Sequence, residues 1–163
     1  MAGGVILAID PGIQGALAFL HHGNRVETFD MPVHKTKIGS ELDEATLSRM
    51  LDARSRDIEF AILERQWARP TDGGPQAFKV GMGYGALRMV LASNFIPYRA
   101  VTPASWKRAM GLIGQGKDAS RAAATKAFPN DADQWRLKKH EGRAEAALMA
   151  CWGRSHPVVA EAA

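Results

Sequence analysis

A single cysteine, Cys151, is all the thiol in this 163-residue chain. An internal disulfide is therefore excluded, and a reducing, cytoplasmic setting is expected. Cys151 falls on an apolar helical stripe and has no base beside it in sequence, so burial is expected of it rather than nucleophilic chemistry. No apolar run approaches the ~20 residues that span a bilayer, and no secretory leader is read at the start, so no membrane partner is expected. Length for two substantial domains is also lacking. One domain over 1–163 is expected, its tail from 154 frayed. The glycines of GLIGQG (111–116) are not followed by Gly-Lys-Ser or Gly-Lys-Thr, so they say little about a nucleotide-phosphate loop.

What is present begins with VILAIDPGIQ (5–14). Val5, Ile6, Leu7, Ala8 and Ile9 make a short, continuous apolar run rich in β-branched residues, the pattern of a strand buried on both faces. Pro11-Gly12 then breaks it, leaving Asp10 at the strand mouth. Local sequence alone also allows a plain turn aspartate. FAILERQ (60–66) repeats the arrangement, with Glu64 closing the run Phe60 to Leu63. A third acid, Glu145, lies in HEGRAEAALMACWG (140–153), where Ala144, Leu148, Cys151 and Trp152 form an apolar stripe at helical spacing. Glu141, four residues earlier, shares the face of Glu145. Acids on one face repel, which suggests a cation between them.

An apolar strand ending in Asp, another ending in Glu and a C-terminal helix bearing acids resemble the ribonuclease H-like nucleases, and among them the RuvC-type Holliday junction resolvases in their short, phage-like form. IDPG (9–12), the Glu64 strand, GMGYGALRMV (81–90), TPASWKRAMGLIGQGKDASR (102–121) and RAEAAL (143–148) occur in that family's order. The resemblance implies an α/β, ribonuclease H-like fold, a five-stranded mixed sheet flanked by helices. It further implies a homodimer acting on branched DNA, especially four-way junctions. Two Mg²⁺ ions are implied, with Mn²⁺ able to substitute: Asp10 would bridge them, Glu64 would bind one and Glu145 the other. Lys117, in GKD, would lie near the scissile phosphate, and Trp67 would stack on bases at the branch point. The family often places Asp or His three residues before its last acid, where this chain has Gly142. Glu141 is the first choice for the fourth ligand and His140 the second.

The remaining elements follow from local pattern. Ala16–Leu20 and Val26–Met31 read as strands of an antiparallel meander, with His21 and His22 solvated in the turn between them. Pro32 to Gly39 reads as a polar loop, and Ser40 with Asp43 as a helix start, with Leu42, Ala45, Met50 and Leu51 facing the sheet. Glu59–Glu64 is expected beside the Asp10 strand. Arg65 to Pro75 is rich in breakers and reads as a loop carrying Trp67, which either stacks on bases or packs beneath its own loop. Gln76–Ser93 reads as a helix despite Gly81, Gly83 and Gly85, which calls for close contacts at those positions. After a strand over Pro97–Val101, Thr102-Pro103 opens a helix with Trp106, Ala109 and Met110 inward and Lys107 and Arg108 outward. A further helix runs from Lys117 to about Ala127, and Gly153 is read as the stop of the last helix.

The net charge is +4, unevenly spread. Residues 99–139 hold nine Lys and Arg (99, 107, 108, 117, 121, 126, 136, 138, 139) against Asp118, Asp131 and Asp133, a net of +6 that leaves −2 elsewhere. This basic stretch is either a set of solvated helix faces or a polyanion contact beside the acidic centre, with Lys107, Arg108, Lys117 and Arg121 as DNA-binding candidates. Three functions fit: a metal-dependent endonuclease on branched DNA, flaps and forks included; a junction-binding protein that does not cleave; and half of an actin-like or sugar-kinase fold. The last needs a second lobe that 163 residues do not supply.

Overall fold

The computed structural model describes residues 4–116 and 118–158. Its frame is a sheet of five strands in the order β3-β2-β1-β6-β7, comprising β1 (Val5–Asp10), β2 (Ala16–Leu20), β3 (Val26–Asp30), β6 (Ile58–Glu64) and β7 (Tyr98–Val101). β1, β2 and β3 form the antiparallel meander, and β6 lies parallel to β1 with β7 parallel to β6. The expected mixed sheet is thus present, with the Glu64 strand beside the Asp10 strand.

Strand side chains alternate between faces, and each face has its own cover. Ile6, Ala8, Ala18, Leu20, Phe60 and Ile62 pack under α5 (Glu141–Arg154), with α3 (Pro103–Ala109), α4 (Ala119–Ala127) and the 3₁₀ segment Pro129–Trp135 around it. Leu7, Ile9, Leu17, Phe19, Ala61 and Leu63 pack under α1 (Glu44–Asp52) and α2 (Gly74–Ser93). Covering on both sides is why β1 tolerates no polar residue before Asp10.

Several local expectations are corrected. The segment read as a polar loop from Pro32 to Gly39 enters a hairpin, β4 (Val33–Thr36) against β5 (Gly39–Leu42). Thr36 stabilises its tight turn by donating from Oγ1 to the Gly39 carbonyl at 3.1 Å, a short-range contact that the mostly polar sequence around it conceals. Ser40 therefore sits in a strand. The helix start is Asp43, whose carboxylate accepts from the Thr46 backbone N–H at 2.9 Å. Ala45 is exposed, and Leu47 fills the buried position with Leu51. Ala109 is also exposed, because α3 is short and only Trp106 is driven fully inward.

Gly153 does not stop α5, which runs on to Arg154. A Cβ on Gly153 would lie 2.8 Å from Ile62 Cγ1, so glycine serves there to let the helix settle onto the sheet. Cys151, expected to be buried, is half-buried and packs against the core from its edge. Gly81, Gly83 and Gly85 have open space where a Cβ would be, so the contacts expected at these glycines are not made among the described residues.

Candidate active site

Parallel pairing of β1 with β6 sets Ile9 opposite Leu63, so Asp10 and Glu64 emerge at the same end of neighbouring strands. α5 begins at that end and contributes Glu141 in its first turn and Glu145 one turn later. The helix can come this close because of Gly142. A Cβ there would lie 2.7 Å from the Gln14 carbonyl oxygen and 3.0 Å from Asp10 Oδ2, so the space a side chain would take is filled by the Asp10 loop itself. Gly12, at φ 103°, gives that loop a turn that other residues rarely adopt.

Burial holds the Asp10 carboxyl well above its ordinary range, and the charges of Glu64 and Glu145 push it further; Lys107 opposes them, and Glu141 adds a smaller push. Glu64 is also raised, again mainly by burial, although a hydrogen bond from Trp106 counteracts it. That bond runs from Trp106 Nε1 to Glu64 Oε2 at 2.7 Å. Glu145 Oε1 accepts from Ser120 Oγ at 3.0 Å and pairs with Lys107 Nζ at 2.7 Å. Burial pulls the Lys107 ammonium down, but its bond to Glu145 and the charges of Glu145, Glu64 and Asp10 carry it above its usual value.

Lys107 was expected to face outward. It turns into the acids because β7 delivers α3 directly across the mouth of β6, placing Trp106 and Lys107 against Glu64 and Glu145. Arg108 does face outward. Arg121, expected at a phosphate, is committed within the protein: it pairs with Asp118 and donates to the Arg136 carbonyl at 3.0 Å. Trp67 is 56% exposed and so does not pack beneath its loop. Lys117 lies outside the described residues. Among those residues no three His, Cys, Asp or Glu side chains already stand at metal-cage spacing, and the cation that the acids do hold is the Lys107 ammonium.

The acids open into a cleft of about 1110 Å³, larger than the usual small-molecule pocket and rimmed by Lys79, Lys107, Lys138 and Lys139. Gln14, Gln66 and the hairpin residue Glu41 also line it. Sequence reasoning counted Lys138 and Lys139 in the basic stretch without assigning them to the site, although they directly precede the acid-bearing helix. The roles of Trp106 and Ser120 had no signal, since both depend on packing between distant segments. His140 lines the cleft, and its Nδ1 is sealed from solvent with no hydrogen-bond partner. Burial and the nearby Arg143 charge lower its pKa, which favours the neutral ring that can donate a lone pair.

No protein-family model matches the chain. Among solved structures, it superposes on Thermus thermophilus RuvC in complex with a Holliday junction substrate, with a TM-score of 0.57 and 20% identity over 95% of this chain and 98% of the other. The yeast mitochondrial Holliday junction resolvase Ydc2 matches with a TM-score of 0.57 and 16% identity, covering 91% and 77% of the two chains. The chain has the RuvC fold. This agrees with the ribonuclease H-like architecture expected from the sequence. A curated relative, the chloroplastic Holliday junction resolvase MOC1 of Chlamydomonas reinhardtii, is 36% identical over 84 residues, which is 51% of this chain and 10% of the relative. The match thus spans about a tenth of that protein's length. In the RuvC fold as this chain builds it, no helix of the described residues is long and apolar enough to cross a membrane.

Proposed function

We propose that this protein is a metal-dependent endonuclease that cuts phosphodiesters in branched DNA and resolves four-way junctions. The observation that carries this reading is the convergence of Glu64, Glu141 and Glu145 on Asp10, beside a cleft that Asp10, Glu141 and Glu145 line and lysines rim. A buried Asp10 facing three like charges favours a cation at their centre. Carboxylate oxygens are hard donors suited to Mg²⁺, with Mn²⁺ as a substitute. Asp10, Glu64 and Glu145 would hold two such ions. Glu141 and the unpartnered Nδ1 of His140 are the candidates for the remaining ligand, and Glu141 is the harder donor of the two.

When bound, a pair of divalent ions supplies an activated water and charge neutralisation at the leaving oxygen. The chain's own residues prepare that chemistry. Trp106 fixes one oxygen of Glu64 and leaves Oε1 free to act as a ligand; Ser120 orients Glu145. Lys79, Lys138 and Lys139 draw the phosphate backbone into the cleft. Lys107 neutralises charge on the reacting phosphate, a role that the resemblance also gives Lys117, and Arg108 meets a flanking strand. Trp67 offers an exposed ring on which an unpaired base at the branch can stack.

The surface of α2 supports a homodimer. Its outer face carries exposed Phe78, Met82 and Met89, with Gly81 and Gly85 leaving room for the close approach of a second helix. Two active sites related by a twofold axis suit the symmetric strands of a four-way junction.

The deciding experiment is incubation with labelled four-way, three-way, flap and linear DNA in Mg²⁺ and in EDTA. Cleavage of the four-way junction in Mg²⁺, abolished by EDTA and by Asp10→Asn, is expected. Cleavage confined to flaps or forks would reassign the substrate. Tight junction binding without cleavage in Mg²⁺ or Mn²⁺ would make the protein a binding factor.

A further inference from the structure

α3 reaches the acids with two consecutive side chains whose holds differ in kind. Trp106 is fully buried, carries no charge and has its N–H directed at Glu64. Lys107 has a side chain 30% exposed, lines the cleft and holds Glu145 through its ammonium. Glu145 Oε1 also accepts from Ser120, so one polar contact would remain at that oxygen if the lysine left. One hold is thus fixed and the other exchangeable.

We propose that Lys107 and a divalent cation compete for Glu145, and that a DNA phosphate entering the cleft draws Lys107 away, so that metal loading is coupled to DNA binding. This rests on the metal-dependent reading above. Formal charge shows why the lysine has two stations. Asp10, Glu64, Glu141 and Glu145 together carry −4, and two divalent cations would neutralise them fully. An ammonium still bonded to Glu145 would then face a neighbouring dication with no negative charge left to offset it. Its long, flexible stem can move the charge to a phosphate in the same cleft, where it is again matched. Coupling between ligands is reciprocal, so bound metal must raise DNA affinity by the factor by which DNA raises metal affinity.

The test uses calorimetric titration of Ca²⁺, which reads binding without turnover, into wild type and Lys107→Met, each with and without a four-way junction. Without DNA, Lys107→Met should bind Ca²⁺ roughly fivefold or more tightly than wild type, the lower end of typical coupling factors. Adding the junction should raise wild-type affinity by a larger factor than that of the variant, narrowing the gap. Equal or weaker Ca²⁺ binding by DNA-free Lys107→Met, or the same junction effect in both proteins, would overturn the coupling while leaving the metal site intact. Absence of Ca²⁺ binding in all four samples would overturn the metal-dependent reading and the coupling with it. Lys107→Gln, which keeps a polar side chain of similar reach, replaces the methionine variant if that one loses wild-type near-ultraviolet dichroism.

Discussion

Asp10 works against the fold that holds it. Its carboxyl is buried among acids and keeps its proton to higher pH in the folded state than in the unfolded chain. As pH rises from the unfolded value of about 3.9 through the raised folded value, the metal-free protein therefore loses stability. Asp10→Asn should melt at the same temperature as wild type or higher at neutral pH without metal, and the difference should vanish below about pH 3.9, where both states are protonated. Calorimetric melting in EDTA across that range checks this, and a lower neutral-pH melting temperature for Asp10→Asn would contradict it. Gly142 poses the opposite case, a residue whose value lies in having no side chain. Gly142→Ala would drive a Cβ against the Gln14 carbonyl and Asp10 Oδ2, costing about 1–3 kcal/mol in denaturant unfolding. Gly142→Asp, which adds an acid to the cluster on paper, should weaken Ca²⁺ binding in calorimetric titration rather than improve it.

Among the elements, α5 is both the lid of one sheet face and the carrier of two acids, so its seating matters to the site. Arg143 pins it: Nε and NH2 donate to the two Asp30 oxygens at 2.6 and 2.7 Å, and NH1 donates to the Gln134 carbonyl at 3.1 Å. Arg143→Ala should cost on the order of 1 kcal/mol, modest because Asp30 is largely solvated. The hydrogen bond to Arg143 lowers the Asp30 pKa, so this contribution should be present above about pH 3.9 and lost as pH falls through the lower folded value. Chemical unfolding of wild type and Arg143→Ala at neutral and acid pH measures it. α2 yields a different expectation. Met89→Glu places a charge on its exposed apolar face, so sedimentation equilibrium should show a dimer for wild type and a monomer for the variant, with circular dichroism unchanged. A monomeric wild type would remove the role proposed for this face.

At the scale of the whole molecule, junction recognition should separate from general DNA affinity. Trp67→Ala should weaken four-way-junction binding by about 1–3 kcal/mol and barely affect linear duplex, because only a branch offers bases already easy to unstack. Equal losses on both DNAs would make Trp67 a general DNA contact with no preference for the branch. The sequence made the sheet and its two acid-bearing strands legible because buried strands write themselves as apolar runs, and Asp10 and Glu64 end those runs abruptly. The β4–β5 hairpin was not legible, since Val33 to Leu42 is mostly polar and half-exposed and has no buried face to impose alternation. Lys107 was misplaced for another reason: helical spacing gives the face of α3 it occupies but not that Glu145, 38 positions later, stands opposite.

That hairpin is closed at its root, where the Asp43 N–H donates to the Pro32 carbonyl at 2.9 Å and Met31 N–H to Gly15 at 2.9 Å. The chain therefore leaves the sheet and returns to nearly the same place, and between Pro32 and Asp43 it is the half-buried Leu42, at the end of the hairpin, that packs against a core cluster. Such a segment behaves as a detachable cassette. Lineages could lengthen, recharge or exchange it while the acids keep their positions, and an engineer could do the same. Replacing 33–41 with a short Asn-Gly turn, which keeps Leu42 on the core, should leave a cooperatively unfolding protein whose DNA preferences, rather than its chemistry, have been rewritten.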